Sequence, residues 1–198
     1  MQNWEKFFKK SNGNNFPHTS LLVFYYRYIH NIKKKNINIL DLGCGTGSSL
    51  MLFQKRSFKI DFVDISKTAL NKLKKNNLKK KNIQTYNLDF NSFLKNSKKK
   101  YDFIIDSASL QHQSEKDMIK SFSLINKNLK KNGYFFCINL NSSKKINDNA
   151  FYATKLNKKK LLKYFRLCNL RKVEYNYIFY TENNSQNYIK FNIITGQK

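Results

Sequence analysis

The chain has 198 residues, 40% of them hydrophobic, and carries a formal net charge of +26 at pH 7. This length predicts one domain with a sizeable core, and the 17 Phe and 12 Tyr exclude a disordered composition. No apolar run approaches the roughly 18 residues of a membrane span, and the charged start MQNWEKFFKK lacks the apolar stretch of a secretory signal, so we expect a cytoplasmic protein.

The positive charge is almost entirely lysine, whereas recognition of phosphates and bases favours arginine. The lysines form short runs scattered along the chain, and asparagine is also abundant. We therefore interpret the charge as a solvated basic surface that reflects compositional drift. A nucleic-acid partner stays open as the less favoured interpretation.

The three cysteines, Cys44, Cys137 and Cys168, are far apart and lack metal-ligand spacing such as CxxC, so we expect no metal site. An odd count without a disulfide framework fits a reducing compartment. Cys44 lies among glycines. We interpret it as a small residue suited to a tight loop, with a reactive thiol as the alternative.

In chain order, the first 36 residues predict a short amphipathic segment, the turn SNGNNFP and a helix from about His18 to Lys34. From Ile37, short apolar strands alternate with helices, an order typical of a parallel sheet covered on both faces. The predicted strands are INILDL (37–42), FKIDFVD (58–64), NIQTYNLD (82–89), YDFIID (101–106) and GYFFCINL (133–140). The helices between them are predicted at 48–55, after a cap at Ser66, at NSFLKN, and from Ser114 to Asn132-Gly133.

After the fifth strand the pattern changes. An exposed loop is predicted at 142–149 and a helix near 154–165, followed by strands at 166–180 and 186–196 joined by the polar turn TENNS. Two strands without a helix between them must pair antiparallel. The sequence therefore predicts an α/β, Rossmann-like, doubly wound sheet of seven strands, mostly parallel, with a C-terminal antiparallel hairpin and helices on both faces. We treat 1–198 as a single domain, with an N-terminal helical segment (1–36) and a core (37–198).

A glycine-rich turn follows the first strand in the stretch ILDLGCGTGSS (39–49). A strand, such a turn and a helix start together form a ligand cradle at the crevice of a doubly wound sheet. Gly43, Gly45 and Gly47 give G-x-G-x-G, which differs from the G-x-G-x-x-G of dinucleotide binders. Asp41 at the strand tip would repel a pyrophosphate and attract a cationic amino group.

Asp64 lies at the tip of the second strand, about 20 residues after Gly43, where a carboxylate suits ribose hydroxyls. The predicted ligand therefore contains a ribose and a cation, and no diphosphate.

These motifs carry a resemblance to a known family. DLGCGTG, VDIS (63–66), NLDF (87–90), YDFIIDSASLQH (101–112), LKKNGYFF (129–136) and the terminal hairpin resemble, in order, the motifs of class I S-adenosylmethionine-dependent methyltransferases. The resemblance implies S-adenosylmethionine as cofactor and S-adenosylhomocysteine as product. The opening WEKFFKK…NFPHTSLLVFY is also similar to N-terminal segments of small bacterial methyltransferases that act on small molecules.

The resemblance assigns roles at the strand tips. Asp41 would hold the amino group of the methionine part, and Asp64 would accept from both ribose hydroxyls. Ile65 would pack on the adenine, Asp89 would accept from the adenine amino group, and Phe90 would lie beside the ring. The loop residues assigned to the cofactor are Gly43, Cys44, Gly45 and Gly47.

The resemblance also implies an acceptor pocket built from the N-terminal segment, the loop after the fourth strand and the region near 141–155. Trp4, Phe7 and Phe16 are candidates for a lid, because aromatic rings attract a sulfonium; the alternative is that they anchor the first helices in the core. His18, next to Pro17, would face the acceptor.

Two residues are candidates for catalysis. His112 is the best candidate general base, because its pKa lies near neutrality; a loop histidine without catalytic duty is the alternative. Asp106 would lie beside the sulfonium, where it stabilises positive charge or faces the acceptor. An Asx turn after the strand is the alternative for Asp106.

The leading functional hypothesis is a methyltransferase for a small-molecule acceptor such as a sugar or another metabolite. An RNA methyltransferase is the second hypothesis. The segment Asp106-Ser107-Ala108-Ser109 lacks the Asn/Asp-Pro-Pro-aromatic sequence of enzymes that methylate base amino groups. The single proline precedes His18, so no Pro-Cys pair offers the nucleophile for carbon methylation of pyrimidines. Ribose methylation is the RNA reaction left open. The third hypothesis is a scaffold that binds the cofactor without turnover.

Overall fold

The computed structural model describes residues 4–33, 36–53, 57–76, 82–141, 153–181 and 188–198. The loop predicted at 142–149, most of the region near 141–155 and most of the predicted turn TENNS lie outside these residues. Helices and strands alternate through the described chain. The helices are α1 (Trp4–Lys10), α2 (Thr19–Tyr28), α3 (Leu50–Phe53), α4 (Lys67–Asn76), α5 (Phe90–Asn96), α6 (Glu115–Asn128) and α7 (Lys158–Leu167), with a 3-10 turn at Leu110–His112. The strands are β1 (Asn38–Leu42), β2 (Lys59–Val63), β3 (Ile83–Tyr86), β4 (Tyr101–Ser107), β5 (Leu129–Leu140), β6 (Arg171–Thr181) and β7 (Tyr188–Gln197).

The strands form one sheet in the order β3-β2-β1-β4-β5-β7-β6. Strands β1 to β5 run parallel, and β7 pairs antiparallel with both β5 and β6. This arrangement confirms the predicted doubly wound sheet and its C-terminal hairpin. The strand order reverses between β1 and β4, which places a crevice at their carboxyl ends.

Side chains from the two faces of the sheet enter different cores. Along β4, Ile104 packs with α5, α6 and α7, whereas Phe103 and Ile105 pack with α2, α3 and α4. The period of two in a strand causes this alternation, and burial on both faces explains why the strands read as nearly continuous apolar runs. The prediction of helices on both faces is confirmed.

Two predicted helix ends are wrong. Helix α2 ends at Tyr28 instead of continuing to Lys34. Helix α6 ends at Asn128, not at Asn132-Gly133, because the Asn128 side chain donates hydrogen bonds to carbonyls within the fold and Leu129 already pairs with Tyr101. Asn132, with φ 64°, lies at an irregularity within β5. The sequence Asn132-Gly133, which is typical of a helix end, thus marks an irregularity near the start of β5.

None of the helices formed by the described residues has both the length and the hydropathy needed to cross a bilayer.

Phe122 on α6 connects three other aromatic rings in the core. Its ring centroid lies 5.7 Å from Phe135, 5.7 Å from Tyr164 and 5.6 Å from Phe165. We expect Phe122→Ala to lower the free energy of unfolding by about 3–5 kcal/mol, because the lost ring leaves a cavity among these neighbours. Urea unfolding followed by circular dichroism measures the loss. Ser123→Ala, at the exposed next position, is the control and should change stability by less than about 0.5 kcal/mol. A loss below about 1 kcal/mol for Phe122→Ala would contradict this role.

Candidate active site

A cavity of about 580 Å³ opens at the carboxyl edge of the sheet, next to the crevice between β1 and β4. Its volume falls in the range of small-molecule sites. Four parts of the chain and one β7 residue line it: Trp4, Phe7, Phe8, Gly13, Asn14, Phe16, His18 and Leu21; Asp41, Gly43, Cys44, Gly45, Thr46, Ser48 and Ser49; Asp64 and Ile65; Ser107, Ala108, Ser109, Gln111 and His112; and Phe191.

The glycine loop is shaped by backbone conformations that only glycine adopts readily. Gly43, Gly45 and Gly47 have φ of 65°, 54° and 84°. Gly43 and Gly45 line the cavity, whereas Gly47 packs against α4, where an added Cβ would lie 2.5 Å from Leu73 Cδ1. Gly47 therefore serves close packing of the loop on α4.

Asp64 is held in place by the main chain. Its Oδ2 accepts from the Gly45 N–H at 2.8 Å, and its Oδ1 accepts from the Ser66 N–H at 2.8 Å. Each carboxylate oxygen keeps a second acceptor site. Asp64 is thus an oriented, bidentate acceptor that lines the cavity.

Asp41 is buried beneath the loop, where its Oδ2 accepts from the Ser49 hydroxyl. Burial raises the pKa of Asp41 to about 7; the Ser49 hydrogen bond opposes this rise, and the nearby Asp106 and Asp64 carboxylates add to it. Burial also raises the pKa of Asp64, against the two main-chain hydrogen bonds. None of the ion pairs found among the described residues includes Asp41 or Asp64. The site therefore favours a cationic ligand.

The buried carboxylate of Asp106 has its partners within the fold. Its Oδ1 accepts from the N–H groups of Ser109 and Leu110 at 2.8 and 2.9 Å, and its Oδ2 accepts from Cys137 Sγ at 3.1 Å. Asp106 does not line the cavity. It shapes the turn after β4, and its direct contact with a ligand stays a prediction.

Of the remaining residues assigned to the cofactor, some line the cavity and others do not. Ile65 lines the cavity and is exposed, whereas Asp89 and Phe90 are outside the lining. Asp89 caps α5 by accepting from the Ser92 N–H at 3.0 Å, and the Phe90 ring lies against the backbone of Gly43. Cys44 lines the cavity, and burial raises the pKa of its thiol, which disfavours a reactive thiolate.

Aromatic rings and histidines also line the cavity. The Trp4 ring packs edge-on against His112 at 4.8 Å between centroids, and the His18 ring lies 6.3 Å from Phe191. His18 also caps α2, its Nδ1 accepting from the Ser20 N–H, and burial lowers its pKa. Phe16 is 73% exposed, so it is not a core anchor. The two carboxylates that line the described cavity both lie beside the glycine loop.

Sequence analysis missed several residues that hold the cavity in shape. The Ser109 hydroxyl donates to the Gly43 carbonyl at 2.9 Å, which ties the segment after β4 to the glycine loop. Gln111 Oε1 accepts from the Leu140 N–H at 2.7 Å and so fixes the position next to His112. Phe191 reaches the cavity from β7. The sequence carries no local signal for these contacts, because their partners are distant in the chain. Ser109 and Gln111 lie within the stretch YDFIIDSASLQH, and Ser49 lies within ILDLGCGTGSS, but neither motif indicates these contacts.

Comparisons with known proteins show the family to which this fold belongs. A family model described as a methyltransferase domain matches residues 21–175. The chain is 32% identical over 112 residues to a ubiquinone biosynthesis O-methyltransferase of Pelagibacter ubique, covering 56% of this chain and 45% of the relative. It is 35% identical over 86 residues to malonyl-[acyl-carrier protein] O-methyltransferase 1 of Ilyobacter polytropus, covering 42% and 31%. The chain thus spans less than half the length of these curated relatives.

The fold is similar to a solved structure of TehB from Haemophilus influenzae, with a TM-score of 0.75 and 18% identity over 98% of this chain and 66% of that chain. Because the family model covers most of the sequence, the chain belongs to the class I S-adenosylmethionine-dependent methyltransferases. This membership confirms the family predicted from the motifs and its cofactor.

The raised pKa of Asp41 links the site to stability. Because the folded-state pKa of about 7 exceeds the ordinary value near 4, the stability gained by protonating Asp41 is present at low pH and lost as the pH rises through 7. We expect Asp41→Asn to stabilise the ligand-free protein, by about 2–3 kcal/mol more at pH 8 than at pH 5.

Urea unfolding of both proteins at the two pH values measures this difference. Ser123→Ala, which removes no titratable group from an exposed position on α6, is the control, and its effect should be the same at both pH values. An equal gain from Asp41→Asn at pH 5 and pH 8 would contradict the raised pKa.

Proposed function

We propose that this chain transfers the methyl group of S-adenosylmethionine to a small-molecule acceptor bound in the same cavity. One observation carries the proposal: a single cavity is lined both by two oriented carboxylates and by aromatic rings with histidines. The carboxylates suit a cationic nucleoside, and the rings and histidines suit an uncharged or anionic acceptor with apolar surface.

The donor set fits the cofactor at each position. Asp41 would accept from its ammonium group, and Asp64, with one acceptor site left on each oxygen, would accept from the ribose hydroxyls. The glycine loop would let the methionine part approach the backbone. When bound, the cofactor supplies an electrophilic methyl group on a positively charged sulfur, and binding it would relieve the electrostatic cost of the buried carboxylates.

The reaction depends mainly on positioning, since an in-line displacement needs the acceptor atom aligned with the methyl carbon at near-attack distance. Trp4 on α1 and Phe191 on β7 would confine the acceptor from two sides. If the acceptor atom carries a proton, His112 is the lining residue placed to remove it, and the proton then leaves to solvent.

A small acceptor is favoured over RNA by the position of α1. Phe8 lies against the glycine loop, 3.2 Å from the position of a Cβ at Gly45, and Trp4 contacts His112, so α1 roofs the cavity. A nucleotide within a polymer would need an open approach. The curated relatives named above are O-methyltransferases, which supports oxygen as the acceptor atom in this chain.

Methyl transfer can be tested without knowing the acceptor. The protein is incubated with S-adenosylmethionine labelled in its methyl group and with either the small-molecule or the RNA fraction of a bacterial cell extract. We expect label in small molecules, with sugars and phenolic metabolites analysed first. Label confined to RNA would instead support the RNA methyltransferase, and cofactor binding without transfer to either fraction would support a non-catalytic scaffold.

His112 is tested on the acceptor that the screen identifies. We expect His112→Gln to lower kcat by about 100-fold or more while cofactor affinity changes by less than about twofold, because the lost group only moves a proton. His30→Gln, at a histidine outside the cavity lining, is the control and should retain activity. Full turnover by His112→Gln would remove His112 from the role of base.

The role of Asp64 is tested by calorimetry with S-adenosylmethionine and, separately, NAD. We expect Asp64→Ala to weaken binding of S-adenosylmethionine by about tenfold or more, since it loses hydrogen bonds to a charged acceptor. Asp64→Asn keeps one oxygen that can accept from the Gly45 or the Ser66 N–H. Comparing it with Asp64→Ala separates the effect of a displaced loop from the loss of hydrogen bonds to the ribose. Asp117→Ala should bind like the unmodified chain. Unchanged affinity in Asp64→Ala, or preferred binding of NAD, would contradict the assignment.

A further inference from the structure

Helix α1 is held against the start of α4 by one carboxylate. Glu5 Oε2 accepts from the Ser66 hydroxyl at 2.8 Å and from the Thr68 N–H at 3.2 Å, and Glu5 Oε1 accepts from the Thr68 hydroxyl. These partners lie more than 60 residues away in the chain. The contacts therefore fix α1 relative to the core and not to its own neighbours.

Ser66 connects this contact to Asp64, which lines the cavity. Its N–H donates to Asp64 Oδ1 at 2.8 Å, while its hydroxyl donates to Glu5 and accepts from the Ala69 N–H at 3.1 Å. One serine thus holds the carboxylate at the tip of β2 and the carboxylate on α1.

The side chains beside Glu5 extend over the cavity. Trp4 packs on His112, after β4, while Glu5 is bound to α4, after β2. Phe8 lies on Gly45 between them. A second contact follows α1, where Lys72 Nζ on α4 donates to the Ser11 carbonyl at 2.9 Å and to Asn12 Oδ1 at 3.2 Å. Helix α1 therefore spans the cavity from one side to the other.

We propose that Glu5 is a positioning residue that latches α1 across the cavity, so that S-adenosylmethionine enters and S-adenosylhomocysteine leaves only when the contacts of Glu5 with Ser66 and Thr68 break. The release step rests on the proposed function, whereas the latch itself is a property of the ligand-free chain. Polar contacts suit such a latch, because water replaces them at little net cost when α1 lifts.

The Glu5 carboxylate is ionised at neutral pH. Hydrogen bonds from the Thr68 hydroxyl and N–H, and then from the Ser66 hydroxyl, lower the pKa of Glu5 to about 2. The carboxylate therefore remains a pure acceptor, which is the form that all three donors require.

Trp4 makes the latch directly observable, because it is the single tryptophan of the chain and adjoins Glu5. We expect Glu5→Gln to increase acrylamide quenching of Trp4 fluorescence in the ligand-free protein, since the amide loses the negative charge and keeps only one of the two oxygens that accept from Ser66 and Thr68. We also expect S-adenosylhomocysteine to dissociate about threefold to tenfold faster in stopped-flow measurements, in line with the loss of hydrogen bonds to a charged group. The variant leaves the proposed cofactor contacts in place. We therefore expect KM to rise without a comparable fall in kcat.

Two further variants sharpen the test. Thr68→Val removes the hydroxyl at nearly constant shape and should reproduce the effect in part, with no further increase when combined with Glu5→Gln. Glu115→Gln is the matched control, because Glu115 also accepts from neighbouring side chains, Lys160 and Tyr164, but away from the cavity. It should leave both quenching and dissociation unchanged.

The two readouts separate failure of the latch from failure of the proposed function. Unchanged Trp4 quenching in Glu5→Gln would overturn the latch whether or not any ligand binds. Increased quenching with an unchanged dissociation rate would overturn its role in release. If the unmodified chain bound neither nucleoside, the proposed function would fail, and the release step with it, while the quenching comparison would still decide the latch.

Discussion

The structure of the site depends on two buried carboxylates that form no ion pair with any described residue. Asp41 and Asp64 lie at the same edge of the sheet, and burial raises the pKa of each. Hydrogen bonds from Ser49, Gly45 and Ser66 hold them in place without neutralising their charge. The ligand-free site is therefore electrostatically unfavourable, and hydrophobic packing elsewhere must offset its cost. A cationic nucleoside bound as proposed would supply the missing charge, so that binding and the stability of the ligand-free chain are opposed at this site.

Strand register explains how these groups come together. In the parallel pairing Leu42 lies level with both Val63 and Asp106, so the positions just before and after these residues share one edge of the sheet. Asp64 follows β2 directly, and the glycine loop follows β1, where the Gly43 N–H donates to the Val63 carbonyl. The cradle is thus built from strand ends that the sheet aligns, and side-chain flexibility has little part in it.

The two parts of the chain around the cavity are stabilised by different forces. Aromatic and aliphatic packing on both faces of the sheet holds the core, and its opening would expose a large apolar area. Helix α1 buries one apolar residue, Phe8, and packs Trp4 on His112. Glu5 joins it to α4, and Lys72 binds the residues that follow the helix. Such polar anchoring lets α1 open at lower free-energy cost than any core element, which suits the part of the site that a ligand must pass.

The basic charge of the chain lies outside this chemistry. Asp41 and Asp64 are the carboxylates that line the described cavity, and its lining includes no lysine or arginine. The lysines of the described ion pairs, such as Lys99 with Asp61 and Lys160 with Glu115, are on the surface and partly exposed. The net charge of +26 therefore affects solubility and the surroundings of the protein more than recognition within the cavity.

The sequence by itself determined the strands, their parallel and antiparallel pairing, the glycine loop and the carboxylates at two strand tips. These features are encoded locally, by the period of two in strands, by glycine spacing and by the residue that follows each strand. Only the tertiary structure decided that Asn132-Gly133 lies within a strand, that Phe191 lines the cavity, and that Glu5 joins α1 to α4. Each of these depends on a contact between segments far apart in the chain, and such contacts leave no periodic or compositional signal in a single sequence.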